Sequence, residues 1–203
     1  MQVSNTNVYN LKEALIASGF PFRANFCAET FEKQVEDWDN PESNVKKMAL
    51  DRASRLVNAG DDNSGHKNFL TGILVTFNVT ATNTWWMQFE RYHFMQIVSS
   101  QSKMHSLESL MDDNLATEFV GDMEWENLRD ALCEYKNGRI TYDEFVACCP
   151  MGLQLTAHVV TNYMQLRTIY KQRKNHKLQE WHRFCGWIET LPLAKQLITM
   201  EVK

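Results

Sequence analysis

The sequence has few of the residues from which phosphate-binding loops are built. Only eight of its 203 residues are glycine, and it contains no glycine-rich segment of the Walker or Rossmann type. It also lacks the G-x-S-x-G nucleophile elbow of the α/β-hydrolases. The DDNSG segment resembles a calcium loop only superficially, because the sixth position of an EF-hand loop requires glycine and, counted from Asp61, is His66 here. These absences argue against kinase-like and dehydrogenase-like phosphate sites, a nucleophile elbow of the α/β-hydrolase type and an EF-hand.

Long apolar runs and a cysteine framework are also missing. The five cysteines are odd in number and show neither a C-x-x-C pair nor a cysteine–histidine ligand ladder, so we predict no disulfide framework and no metal site. The apolar stretch FLTGILV is followed at once by Thr76 and soon by Asn78, so it is too short to span a membrane. No basic segment followed by an apolar one is apparent near the N-terminus. We therefore expect a cytoplasmic protein that does not interact with membranes.

The composition that remains is that of an ordinary globular protein. Apolar residues make up 44% of the sequence and charged residues 23%, which fits one domain that spans residues 1–203 and has a substantial core. The formal charge is −4, from 21 Lys and Arg against 25 Asp and Glu. Proteins that bind long nucleic acids usually carry a net positive charge, so no such partner is expected.

Residue periodicity predicts an α+β fold that is mostly helical. The alternation of Ile73, Val75, Phe77 and Val79 with a mixed set of side chains predicts a strand over 73–82, with one side on the core, and 151–161 is a second strand candidate. Apolar spacing of three and four residues, with capping and stop residues, predicts helices within 10–22, from near Pro41 to the AGDDNSG loop, and within 82–98, 106–119, 122–138, 141–150, 162–173 and 177–191.

Two segments carry the residues best suited to bind a ligand. On a helix over 85–105, aromatic side chains would offer a flat surface, and Arg91 and His93 would supply donors beside the SSQS hydroxyls. The alternative is a core helix with aromatic filling. The second segment, residues 171–177, holds five basic side chains, although the helix dipole favours such cations by only about 0.3–1 kcal/mol each. An anionic partner is the functional explanation, with Arg173 and His176 the strongest candidates, and solvated lysines are the alternative.

Three places in the sequence resemble the flavin-dependent thymidylate synthases. Gly65-His66, followed by Phe69 and the strand, is similar to the G-H-x-x-P-F-E-H segment of that family. Residues 88–93, QFERYH, lie where the family has Q-W-F-R-H-R, the start of its signature R-H-R-x-x-S-x-N-E-x-S-x-R-Y.

The third place is the segment from Pro150 to Arg173. It resembles the family's L-P-x-N-L strand, then an asparagine, matched by Asn162, and a helix that ends in arginine. His176 and Trp181 are similar to a His-Ala-Gln-Trp tail with shifted spacing. The resemblance covers residues 60–182 in the family's order, which is more specific than any one motif.

The signature itself is degraded in this sequence. Arg91 keeps its first arginine, but Val98-Ser99 stand in place of Asn-Glu and Gln101 in place of the second serine, with Ser102 one residue away. Lys103 replaces the arginine that holds phosphate, so it keeps the charge but loses the two-pronged guanidinium.

The resemblance implies a mostly helical subunit around a small mixed sheet, assembled as a homotetramer. It implies FAD as cofactor, a dUMP-like pyrimidine nucleotide as the small phosphorylated ligand, and methylenetetrahydrofolate and NADPH as co-substrates, with no metal. The nucleotide-binding residues it implies are Arg91, Ser99, Gln101, Ser102, Lys103 and Arg173. The cofactor-binding residues it implies are His66, His93, Asn162 and His176. No catalytic residue is assigned, because no side chain of the family attacks the uracil.

Three functional hypotheses stay open on the sequence alone. The first is a divergent synthase that transfers a one-carbon unit to uracil C5. The second is a protein that keeps the fold and binds a nucleotide or nucleotide signal but has lost the chemistry, as the missing Asn-Glu pair indicates. The third is an interaction protein whose basic helix docks an acidic partner. Residues 112–149 show helices but no functional pattern.

Overall fold

The structure, a computed structural model, describes residues 1–24, 27–60, 64–112 and 122–200. Its strands are β1 (Gln2–Tyr9), β2 (Leu74–Thr82), β3 (Gln96–Ser100) and β4 (Gln154–Asn162). Its helices are α1 (Leu11–Ala17), α2 (Ala28–Glu36), α3 (Val45–Asn58), α4 (Asn83–Phe89), α5 (Lys103–Asp112), α6 (Asp122–Lys136), α7 (Tyr142–Ala147), α8 (Tyr163–Arg173), α9 (Gln179–Glu189) and α10 (Ala194–Leu197). Short 3-10 turns cover Phe20–Phe22, Asp37–Asp39 and Gly65–Gly72.

The four strands form one antiparallel sheet in the order β1-β2-β4-β3, which confirms the α+β prediction. Alternation along β2 buries Val75, Phe77 and Val79 completely on one face of the sheet. The other face is half-buried and polar, and there the hydroxyls of Thr80 and Thr156 are hydrogen-bonded at 2.7 Å. The predicted division of β2 into a core side and a mixed side is therefore confirmed.

The described chain divides into two compact units, which share strands of the sheet. The first unit, residues 1–5 and 77–159, contains a helical core of α5, α6 and α7 side chains built around Leu107, Leu128 and Phe145. A capping box fixes the start of α7, because Thr141 accepts from the Glu144 backbone N–H while the Glu144 carboxylate accepts from the Thr141 N–H. The predicted capping box is confirmed.

The second unit contains residues 6–76 and 160–203 and is organised around α8. This helix packs against α9 and against the Gly65–Gly72 turn. Arg167, only 2% exposed, donates from Nη1 to the carbonyls of Leu197 and Ile198, both at 3.2 Å. The guanidinium thereby donates to carbonyls at the end of α10, because the last carbonyls of a helix have no N–H donor within the helix. None of the helices within the described ranges is both long and apolar enough to cross a membrane.

The prediction of one helix over 82–98 is wrong beyond Phe89. The chain leaves α4 there, turns through residues 90–95 and enters β3. The β-branched pair Ile97 and Val98 favours an extended chain. Pairing with β4 supplies backbone hydrogen bonds to that extended chain, and this outweighs the helical spacing of the apolar residues. Arg91 therefore does not lie one helical turn from Met87 and Met95, as the helical pattern predicted.

Other boundaries also differ from prediction. The α3 helix begins at Val45 rather than near Pro41, and β1 and α2 were not predicted. β1 is a mostly exposed polar strand at the sheet edge, so it lacks the apolar alternation that identifies strands. Residues 113–119 of the helix predicted over 106–119 lie outside the described residues.

Gly19 is required by the side chain that caps the end of α1. The Arg52 guanidinium donates to the carbonyl of Leu15 at 2.9 Å and to Oγ of Ser18 at 3.0 Å. A Cβ on Gly19 would lie 2.8 Å from Cζ of Arg52, although φ of −89° would accept alanine. We expect Gly19→Ala to lower the free energy of unfolding by about 1–2 kcal/mol, measured by urea denaturation, because these hydrogen bonds must shift.

Gly186→Ala is the matched control. A Cβ at this exposed position in α9 would meet nothing within 4 Å. Alanine there is expected to stabilise the helix by up to about 1 kcal/mol. Equal stability of Gly19→Ala and the wild-type protein would contradict the capping role of Arg52.

Candidate functional site

A cleft of about 300 Å³ opens in the unit of residues 1–5 and 77–159. Its walls come from α4, from the end of β3 and the start of α5, and from the segment that leads into β4. We call it the α4–β3 cleft. It is lined by Asn83, Trp86, Met87, Glu90, Ile97, Ser100, Gln101, Lys103, Cys149, Met151 and Leu155.

Backbone and side-chain hydrogen bonds fix the α4 wall of the cleft. Thr82 caps α4 by accepting from the Trp85 N–H. The next residue, Asn83, donates from its backbone to the Leu153 carbonyl at 3.0 Å and from its amide to the Pro150 carbonyl at 3.2 Å. These contacts join the start of α4 to the segment before β4, so both walls of the cleft are held by the same few residues.

Trp86 supplies the aromatic surface of the cleft. Its indole N–H donates to the Leu155 carbonyl at 3.1 Å, which fixes the plane of the ring. The ring also packs edge-on against Trp85 and Phe89, with centroids 5.1 and 5.3 Å away. A fixed aromatic ring in a cleft suits a planar heterocycle.

Gln101 joins the cleft to the sheet. Its backbone N–H donates to the Thr156 carbonyl at 2.9 Å, and its side-chain Oε1 accepts from the Thr156 N–H at 2.8 Å. The amide is therefore oriented by β4, and its NH₂ group makes no hydrogen bond within the described part of the chain. An oriented amide donor of this kind can recognise a carbonyl oxygen of a base or a phosphate oxygen.

Lys103 supplies the positive charge of the cleft, at the first residue of α5. Its backbone carbonyl accepts from the Tyr142 hydroxyl, which fixes the start of the helix. Cys149 lines the same cleft. Burial raises the pKa of the Cys149 thiol, and the charge of Lys103 opposes part of that rise, so the ammonium group lies within electrostatic reach of the sulfur. The thiol is protonated at neutral pH.

Of the predicted nucleotide-binding residues in this unit, only Gln101 and Lys103 line the cleft. Arg91 and His93 lie exposed on the turn between α4 and β3. Ser99 is exposed on β3, and the Ser102 carbonyl accepts from the Ser106 hydroxyl in the first turn of α5. These four residues are close to the cleft in sequence but do not form its walls, and their proposed ligand contacts stay predictions.

The basic end of α8 is organised around Trp181 in the other unit. The Arg173 guanidinium carbon lies 4.7 Å from the centroid of this fully buried indole, in a cation–π contact. The His176 ring centroid is 6.3 Å from the same indole. Burial, followed by the charges of Arg173 and His182, lowers the pKa of His176. Arg173 and His176 are thus brought together, and both contact the Trp181 indole inside the fold.

The remaining two predicted cofactor-binding residues also belong to this unit. Asn162 caps α8, because its Oδ1 accepts from the Gln165 N–H at 2.9 Å. His66 is exposed on the Gly65–Gly72 turn, against which α8 packs, and lines a cavity of about 550 Å³. We call this the His66 cavity. Its other walls include Asn10, Phe22 and Phe69.

Sequence analysis missed the functional position of Trp86, Glu90, Cys149 and Met151. The aromatic segment was noticed, but the face of Trp86 depends on where α4 ends. The position of Cys149 could not be predicted, since nothing in the sequence places the end of α7 at the same cleft as Lys103. Only the Pro150 match in the resemblance indicated that this segment lies near a ligand. Among the described residues, no cluster of three or more His, Cys, Asp or Glu could hold a metal ion.

Comparisons with known proteins identify the fold. No protein-family model and no curated protein matches the sequence. Two solved structures of thymidylate synthase X (ThyX) from Helicobacter pylori, a flavin-dependent thymidylate synthase, match over 98% of this chain and 97% and 98% of theirs. Both have 16% sequence identity to this chain and a TM-score of 0.72, and both were solved with FAD and dUMP bound. The resemblance seen in the sequence is confirmed at the level of the fold: this chain folds as a flavin-dependent thymidylate synthase does.

Proposed function

We propose that this protein binds a dUMP-like pyrimidine nucleotide in the α4–β3 cleft and, with FAD, transfers a one-carbon unit to uracil C5. The observation that carries the proposal is the meeting of Trp86, Gln101 and Lys103 in one cleft of a ThyX-like fold. A fixed ring, an oriented amide and a cation are the groups that a pyrimidine monophosphate requires.

Each group has a separate task in this proposal. The Trp86 ring packs against the pyrimidine, the free NH₂ of Gln101 donates to a uracil carbonyl, and Lys103 pairs with the phosphate. Arg91, Ser99 and Ser102 complete the predicted nucleotide-binding set within this unit. No protein nucleophile is required, so the work of the chain is to orient the nucleotide and compensate its charge. Protonated Cys149 fits a wall of the cleft rather than an attacking group.

The residues around the His66 cavity suit a flavin. His66, Asn68 and Thr71 supply polar groups, and Phe69 and Phe22 supply apolar ring surfaces. We propose that FAD is held there, with Asn162 and His176 of the same unit as its further predicted contacts. If bound there in its reduced state, the flavin would supply the hydride needed to reduce a methylene unit taken from methylenetetrahydrofolate to a methyl group, with NADPH as the reductant. The chain itself orients the donor and excludes water.

We also propose that the protein self-associates, as a homotetramer, in the cytoplasm. In the unit of residues 1–5 and 77–159, the large apolar side chains of Phe94, Val98, Met104 and Met151 are exposed. Exposed apolar side chains in such number favour a protein interface. The cysteines described here are all free thiols, as a reducing compartment would keep them. Light scattering tests the assembly, and a monomeric mass would contradict it.

The experiment that tests the function has two stages. First, the purified full-length protein is expected to show the visible absorption of oxidised flavin, or to acquire it from added FAD, and to be stabilised thermally by dUMP but not by deoxyuridine, because Lys103 requires the phosphate. Second, the protein with FAD, methylenetetrahydrofolate and NADPH should convert dUMP to dTMP. A colourless protein that neither takes up FAD nor responds to dUMP would contradict the whole proposal.

The second stage separates the synthase from a non-catalytic nucleotide-binding protein. One specific observation favours the latter: Val98, which stands where the signature has asparagine, is 58% exposed and offers no polar group. If dUMP or another nucleotide stabilises the protein but no dTMP forms, the fold has kept binding and lost the chemistry. If dTMP forms, the non-catalytic hypothesis is excluded.

A further inference from the structure

A different cavity, of about 450 Å³, lies on one side of α3, in the unit of residues 6–76 and 160–203. It is formed by the α3 side chains at 48, 51, 52, 55 and 56 and by Phe22 from the 3-10 turn before α2. We call it the α3 cavity. The opposite side of α3 is its core face, where Ala49, Ala53 and Val57 are buried. The cavity side of the helix is therefore not needed to pack the core.

Large apolar side chains are left in solvent at the α3 cavity. Phe22 is 69% exposed and Met48 is 62% exposed. Burial of large apolar side chains is favourable, so their exposure on a wall of a cavity is costly. These side chains offer an apolar surface that a planar or aliphatic ring could cover.

Three arginines concentrate positive charge at the same place. Arg52 and Arg55 line the cavity, and Arg23 is close enough to act on Arg52. Partial burial, then the charges of Arg23 and Arg55, lower the pKa of Arg52. Within the described residues none of the three forms an ion pair with a carboxylate, and Asp51, the acidic residue of the lining, pairs with neither arginine beside it. Within the described residues, no carboxylate is therefore paired with these guanidinium groups.

The hydrogen bonds of Arg52 leave one nitrogen for a ligand. Its Nε and Nη2 donate to Ser18 and to the carbonyls at the end of α1, which fixes the plane of the guanidinium. Its Nη1 has no acceptor in the described part of the chain. Arg55 donates from Nε to the Asp51 carbonyl at 3.3 Å, which leaves both of its terminal nitrogens. A fixed guanidinium with a free edge beside a second arginine is well suited to a phosphate or carboxylate.

We propose that the α3 cavity binds a ring compound that carries a phosphate or carboxylate group. The ring lies against Phe22 and Met48, and the anionic group pairs with Arg55 and with Nη1 of Arg52. This site does not depend on the proposed nucleotide function, because none of its residues lines the α4–β3 cleft. Phe22 and Leu56 also line the His66 cavity, so the test must distinguish the ligand from a flavin.

The test uses the full-length protein and the fluorescent aromatic sulfonate 8-anilinonaphthalene-1-sulfonate, which combines rings with an anion. We expect saturable binding of one probe per chain, with a Kd raised about tenfold by Arg55→Gln, because one charge-assisted contact is lost, and similarly by Phe22→Ala. Both side chains are exposed and neither is part of the core. Arg129→Gln, the same change at an exposed position of α6, should leave the Kd unchanged.

Competition then defines the ligand. Phenyl phosphate or benzoate should displace the probe and phenol should not, and the stronger of the two anions identifies phosphate or carboxylate as the preferred group. Equal probe binding by wild type, Arg55→Gln and Phe22→Ala would overturn the proposal. Displacement by FAD but by neither phenyl phosphate nor benzoate would also overturn it, because the α3 cavity would then be an extension of the His66 cavity and not a separate site. Protection of the Cys149 thiol by dUMP, which reports on the α4–β3 cleft alone, should be the same in Arg55→Gln and wild type, so this proposal and the proposed function can fail separately.

Discussion

Replacing Lys103 by Gln is expected to weaken dUMP binding by about ten- to a hundredfold. A hydrogen bond to a charged group contributes roughly 1.5–3 kcal/mol, and the α4–β3 cleft has no other lining residue with a positive charge. Lys103→Arg should retain binding or tighten it, because a guanidinium holds phosphate with two hydrogen bonds. Isothermal titration calorimetry of dUMP on the three proteins measures the effect.

Lys195→Gln is the matched control for this prediction. Lys195 is exposed on α10, in the other unit, and the same loss of charge there should leave the Kd for dUMP unchanged. If Lys103→Gln and Lys195→Gln weaken binding equally, the effect is long-range charge and Lys103 does not contact the phosphate. The Kd for deoxyuridine, which has no phosphate, should be similar for wild type and Lys103→Gln.

Cys149 gives an independent measurement of where dUMP binds. This thiol lines the cleft next to Lys103, whereas Cys148 is exposed outside the cleft lining. Saturating dUMP should slow alkylation of Cys149 by iodoacetamide and leave Cys148 unaffected, as peptide mass spectrometry can resolve. Equal protection of both thiols would place the nucleotide elsewhere or indicate a general change in stability.

Replacing Trp181 by Ala is expected to lower the free energy of unfolding by about 3–5 kcal/mol, the typical loss for a large buried aromatic side chain. The indole is fully buried in α9 and packs edge-on against Phe184, with centroids 5.9 Å apart. It also carries the cation–π contact with Arg173 and lies beside His176. Urea denaturation of the variant should therefore show the largest loss of any substitution discussed for this protein.

Two further variants separate packing from charge at Trp181. Arg173→Gln removes the cation–π contact and leaves the indole in place, and we expect it to lower the free energy of unfolding by about 0.5–2 kcal/mol. Trp187→Ala, on the same helix, removes a half-buried indole that donates to Thr6 at 3.0 Å, and should cost less than Trp181→Ala. A loss in Arg173→Gln as large as in Trp181→Ala would mean that the buried indole serves mainly to hold the cation.

The same Arg173 variant also tests the origin of the basic segment. The sequence indicated an anionic partner because five cations in seven residues exceed what a helix end requires. The structure supplies part of another explanation, since one of those cations is fixed on a buried ring. If Arg173→Gln loses stability but keeps its dUMP affinity, the arginine is structural. A loss of affinity would support the predicted nucleotide contact.

Local sequence determined those elements whose causes are local. The alternation of Ile73, Val75, Phe77 and Val79 requires an extended chain, because only a two-residue period buries all four on one face. Thr141 and Glu144 satisfy each other's backbone donors within one turn of α7. At the start of α8, the Asn162 side chain accepts a hydrogen bond from one backbone N–H. Such patterns are read directly from the residue order, and they were sufficient to predict the fold class.

Tertiary structure decided what depends on distant partners. Residues 96–100 continue an amphipathic helical pattern, yet they form β3, because β4 is present to accept their hydrogen bonds. Cys149 and Lys103 line one cleft although 45 positions separate them in the numbering. The sequence by itself determined which residues can be buried, capped or charged. Which of them share a cleft was decided only by strand pairing and packing between segments that are far apart in the sequence. The energies of these contacts cannot be inferred from any short stretch of residues.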